Sequence, residues 1–136
     1  MAYTAPYLPE PDRKLLRRCR ILNEDLNALR NFLPDQKIID TLSRLNLDEL
    51  PRNTRRQVEI ILRSADKLRS KQAELDGICV RAEKAAHRIA HDTLRRIAKL
   101  YDLDCRSDQE IAKELGCSKA TAQKYIRILN TPPENV

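Results

Sequence analysis

The stretch Ser107-Asp-Gln-Glu-Ile-Ala-Lys-Glu-Leu-Gly-Cys-Ser-Lys-Ala-Thr-Ala-Gln-Lys-Tyr-Ile-Arg-Ile-Leu129 decides the fold. Ser107 followed by Glu110 makes a capping box, in which each side chain satisfies an amide that a helix start leaves orphaned. Ile111, Ala112 and Leu115 then share an apolar face. Gly116 marks the stop, where a left-handed backbone is cheap only for glycine. Ser118 can cap a second helix, whose apolar positions are Ala122, Tyr125, Ile126 and Leu129. Ala112 and Ala122 are small enough to stand where two such helices cross. The spacing predicts two short helices joined by a tight turn.

On these residues the stretch resembles the helix-turn-helix superfamily of bacterial and phage regulators, including sigma-factor region 4, LuxR-type regulators and resolvase C-terminal domains. The matching positions are Ala112 within the first helix, Gly116 at the turn and Ser118 opening the second, with the apolar residues around them. Cys117 stands where a branched aliphatic is commoner, and Ala122 where valine or isoleucine is usual. The resemblance covers about 25 residues and implies that the second helix enters the DNA major groove. Ser118, Lys119, Ala120, Gln123, Lys124 and Arg127 would then face outward. Gln123 suits adenine, and Lys119 or Lys124 suits guanine or phosphate. Thr121, Lys113 and Arg106 are expected to clamp phosphates and set register.

Working outward, Leu94, Ile97, Leu100, Tyr101 and Leu103 should cover the core of that pair, with residues 102–106 as a short link. Thr54 to Tyr101 lacks proline and has one glycine. Its seam of Val58, Ile61, Ala65, Leu68, Leu75, Cys79, Ala82, Ala86, Ile89, Thr93 and Leu100 predicts a long, coiled-coil-like helix, opened by a Thr54/Gln57 capping box. Gly77 is its one plausible break. Asp12 to Phe32 follows a helical period through Leu15, Cys19, Leu22, Leu26, Leu29 and Leu33, with Asp12 as N-cap. Asp35 to Leu45 predicts a shorter helix. Residues 1–11, with Pro6, Pro9 and Pro11, read as an extended arm whose Tyr3, Tyr7 and Leu8 could dock on a neighbouring subunit. The expected division is therefore arm 1–11, helical dimerisation region 12–86, DNA-binding region 87–131 and tail 132–136.

Composition points the same way. The chain has 136 residues, two glycines, no tryptophan and 34% charged residues, which favours helices over sheets. No basic start precedes an apolar core, so no signal peptide is expected; no apolar run approaches the length of a membrane span. The expected location is cytoplasmic and nucleoid-associated. Charge is uneven: residues 1–51 carry eight basic and eight acidic groups, whereas residues 87–130 carry nine basic and six acidic. A positive excess in the later portion suits a polyanion.

Other chemistries are poorly provided for. Cys19, Cys79, Cys105 and Cys117 form no Cys-x-x-Cys pair and read as free thiols. His87 and His91, four apart, could grip a metal from one helix face, but Glu83 one turn earlier lies outside the pair and no convincing third ligand stands near. There is no Gly-rich phosphate loop and no nucleophile elbow. The expectation is an all-α, non-enzymatic protein without metal or cofactor. It would have an N-terminal helical hairpin, a long helix and a C-terminal tri-helical unit, and would act as a homodimer that regulates transcription on double-stranded DNA. The alternatives are a helical adaptor, for example on RNA polymerase through the N-terminal helices, and a DNA packaging or segregation factor.

Overall fold

Pro9 and Pro11 straddle the first residue of α1 (Glu10–Phe32) instead of holding the chain extended. Proline in a first turn removes only an amide hydrogen that has no intrahelical partner there. The helix thus starts before Asp12, which is not its N-cap. The Asp12 carboxylate instead accepts two bonds from Arg88, 3.0 Å from Nε and 2.6 Å from Nη2. The computed structural model describes residues 8–131. Tyr3, Tyr7 and the tail from residue 132 lie outside the described residues. Leu8, expected on another subunit, is 1% exposed and packs in the core of its own chain.

Among the described residues the protein is all-helical, with no strand. After α1 come α2 (Gln36–Ser43), a 3-10 turn (Leu47–Glu49), α3 (Arg52–His87), α4 (Asp92–Ala98), a π-helical turn (Lys99–Leu103), α5 (Asp108–Leu115) and α6 (Lys119–Asn130). None of these helices is long and apolar enough to cross a membrane. Two compact units divide the chain, one from residues 1–24 and 75–136, the other from residues 25–74.

The unit of residues 25–74 is built on few buried side chains, namely Leu26, Ile39, Val58 and Ala65. Asp35 caps α2 by accepting from the Ile38 amide, and Asn46 caps the 3-10 turn. The helix α3 starts at Arg52, directly after Pro51, and not at the Thr54/Gln57 box. Asp25 accepts from Lys71 at 2.9 Å, and Arg30 donates to Gln72 at 2.6 Å. Phe32, Ile38 and Ile60 remain about half exposed.

Gly77 does not break α3, which runs through it as a single helix. The break comes later, over residues 88–91, where the long-helix reading continued to Tyr101. Neither glycine nor proline marks that break; His91 makes it, its Nδ1 accepting from the Leu94 amide to cap α4. His87 and His91 therefore sit on different segments and not on one helix face. The two glycines should respond oppositely to alanine. A Cβ on Gly77 meets nothing within 4 Å, so Gly77→Ala should raise unfolding stability by about 0.5–1 kcal/mol. Gly116 has φ +67°, so Gly116→Ala should lower it by about 1 kcal/mol. Urea titrations of the two variants check the signs; equal signs would contradict this geometry.

The other unit has a continuous core. Leu8, Leu16 and Cys19 meet the small Ala82, Ala85 and Ala86 of α3, then Ile89, Leu94, Ile97 and Ala98. Ile111, Ala112, Ala122, Ile126 and Leu129 complete it from α5 and α6, with Leu100, Tyr101 and Leu103 partly buried against them. Alanines let helices approach closely, so modest side chains suffice to build this core.

Candidate functional site

The α5 start carries the expected box: Ser107 Oγ accepts from the Glu110 amide and Glu110 Oε1 from the Ser107 amide, each at 3.2 Å. At its end, the Gly116 amide donates to the Lys113 carbonyl and the Cys117 amide to the Ala112 carbonyl at 3.0 Å. This is the left-handed stop in which the last carbonyls find donors. Ser118 then caps α6, its Oγ accepting from the Thr121 amide at 3.1 Å.

Packing orients α6. Ala122 and Leu129 are almost fully buried, Ile126 nearly so, and the helix rests on α4 and α5. Tyr125 lies half-buried, with its ring 6.2 Å from that of His91. The opposite face is therefore left to solvent: Ser118, Lys119, Ala120, Gln123, Lys124 and Arg127 are all exposed. Lys113 on α5 and Arg106 before it are exposed too. Thr121 is half-buried, and its hydroxyl pairs with that of Ser118 at 2.9 Å, so both are engaged in the cap. Among the described residues, no carboxylate stands within 4 Å of Lys113, Lys119, Lys124 or Arg127. Arg106 has Glu110 at 3.6 Å.

Three features of this region escaped the sequence reading. First, Asp108 accepts from Gln123 Nε2 at 2.8 Å, joining α5 to α6 on the exposed face. That bond, with lesser help from the Gln109 amide and from Lys119, holds the Asp108 carboxyl below its usual range. Together with Arg20, Tyr101, Ser107 and Ile126, the pair lines a depression of about 310 Å³.

Second, Arg20 of α1 clamps the turn that leads into α5. Its Nη1 donates to the Tyr101 carbonyl at 2.6 Å and to the Arg106 carbonyl at 2.9 Å. Its guanidinium carbon lies 3.6 Å from the Tyr101 ring centroid, and Nε is 2.7 Å from Glu24. Asn23 adds a bond to the Leu103 carbonyl. In the sequence Arg20 is one of five basic residues between positions 13 and 20, with nothing local to name its partner.

Third, Asp102 sits inside the π-helical turn, 3% exposed. The Asp104 amide reaches back five residues to the Lys99 carbonyl at 2.9 Å, the extra residue of a π-turn. Burial pushes the Asp102 carboxyl up to about 7 despite the opposing pull of Arg20 and Arg17. Beyond the turn, Cys105 takes a left-handed φ of 54°. All four thiols are unpaired. Burial raises Cys19 to about 11 and raises Cys105 above the ordinary thiol value, so neither is a ready thiolate.

Comparison of the chain with models of protein families, with curated proteins and with solved structures finds no match.

Proposed function

We propose that the protein is a sequence-specific DNA-binding transcriptional regulator of bacterial or phage type, acting as a homodimer through a helix-turn-helix made by α5 and α6. The observation that carries this reading is the face of α6. Lys119, Gln123, Lys124 and Arg127 are exposed together on a helix whose other side is locked into the core. Such a face can enter a major groove without rearrangement, and Lys113 and Arg106 flank it as phosphate contacts. The half-buried Thr121 and the capping Ser118 would contribute backbone more than hydroxyl groups. Two copies would present recognition helices about 34 Å apart, or a multiple of it, and read a palindrome.

Polarisation with a labelled random duplex tests the reading. Arg106, Lys113, Lys119, Lys124 and Arg127 should release counterions, so log affinity should fall against log salt with a slope of about −4.5 for each bound protomer. Salt-insensitive binding, or none, would refute it. The exposed Phe32, Ile38 and Ile60 of the unit of residues 25–74 favour a protein contact there. A homodimer uses that contact alongside DNA, whereas an adaptor uses it alone. Light scattering together with the same duplex titration separates the two.

A further inference from the structure

We infer that Asp108 is a positioning residue for base readout: through its bond to Gln123 it fixes the amide so that it accepts a base presenting an amino group in the major groove and rejects guanine. This rests on the DNA-binding reading of α6. The bond joins Asp108 Oδ2 to Gln123 Nε2 at 2.8 Å across fifteen residues of chain. Chemistry dictates which end of the amide faces Asp108, because a flipped amide would set two acceptors against each other. A free glutamine on a helix surface turns its amide either way and loses rotamer freedom when it binds a base. Here that freedom is already restricted.

The consequence lies in what Gln123 has left to offer. One N–H is committed to Asp108, leaving one N–H and Oε1 as a single donor and a single acceptor. Adenine presents the complement in the major groove, an acceptor at N7 and a donor at N6. Cytosine presents only a donor, at N4. Guanine presents two acceptors, O6 and N7, which would face both Oε1 and the carboxylate of Asp108. The expected order at the base under Gln123 is therefore adenine, then cytosine, then guanine. Asp108 also sets a negative charge beside a basic face, which lowers affinity for all DNA and so favours specific over random sites. Ser107 and Glu110 cap α5 by themselves, so the fold does not need Asp108.

The test uses the full chain and duplexes selected from a random pool, then varied to all four bases at the position where Gln123→Ala loses preference. Wild type should prefer adenine over guanine there by about tenfold or more. Asp108→Ala should lose part of that preference and Gln123→Ala all of it, while the affinity of Asp108→Ala for random duplex holds or rises. Asp108→Asn keeps an acceptor for Nε2 but also offers a donor to a turned amide, so it should retain more of the preference for adenine than Asp108→Ala does, while also binding random duplex more tightly. A merely structural role would weaken all sequences alike and would not be rescued by asparagine. In the protein without DNA, the side-chain amide resonance of Gln123 should move in Asp108→Ala and move less in Asp108→Asn. An unmoved resonance, or full discrimination in Asp108→Ala, overturns the inference alone. A moved resonance in a protein that binds no duplex overturns the DNA reading and the inference with it.

Discussion

Arg20→Ala should lower unfolding stability by about 3 kcal/mol at neutral pH. A charged donor to a carbonyl contributes about 1.5–3 kcal/mol, and Arg20 serves two, at Tyr101 and Arg106. The Tyr101 carbonyl is partly buried and would be left without its donor. The stacking on the Tyr101 ring adds about 0.5–1 kcal/mol, while the Glu24 pair, with a largely exposed carboxylate, adds little. Lysine does not replace this planar fork, so Arg20→Lys should recover less than half of the loss. Urea unfolding followed by circular dichroism checks both; a cost under about 0.5 kcal/mol for Arg20→Ala would show that the clamp does not hold the turn.

Asp102→Asn should do the reverse and stabilise the protein above neutral pH. The folded-state pKa of Asp102, about 7, lies above the ordinary 3.8. Between those values the folded state holds a proton that the unfolded chain has released. Stability from this group is therefore complete below about pH 4 and is lost as pH rises to about 7, by an amount on the order of 4 kcal/mol. Asparagine carries no charge to desolvate, although its amide also lacks an evident partner. The variant should match wild type near pH 4 and exceed it by on the order of 4 kcal/mol near pH 8. Subtracting the two stability curves cancels the other titrating groups. A difference independent of pH would contradict the burial of an ionisable Asp102. The two sites are coupled, because Arg20 opposes the upward shift: Arg20→Ala should cost more near pH 8 than near pH 5, and less in the Asp102→Asn background.

What could be read from sequence was whatever local rules govern. The Ser107/Glu110 box, the left-handed Gly116 and the Ser118 cap each involve residues within three positions of one another, and each forms as expected. The apolar face of α6 follows from helical period alone. Long-range polar pairing has no such signature. Arg20 meets carbonyls 81 and 86 residues away, and its neighbours in sequence say only that it is basic. Asp102 looked like part of a polar link; only the π-turn and the surrounding apolar side chains bury it. The Asp108–Gln123 bond depends on how α5 and α6 cross. The break before α4 was missed because histidine is a rare cap, and a seam of alanines and leucines runs on through it. Asp12 is not the cap expected of it because Pro11, read as part of an extended arm, is tolerated in a first helical turn.

The central claim is that the exposed face of α6, and not another basic surface, meets nucleic acid. Mapping backbone amide shifts of the labelled full chain during titration with a short duplex tests it most directly. The shifts should concentrate from Ser118 to Arg127, with Arg106 and Lys113 at the margin, and residues 25–74 should change only where copies associate. Shifts centred on the basic residues of α1 or α3, with α6 unmoved, would contradict it.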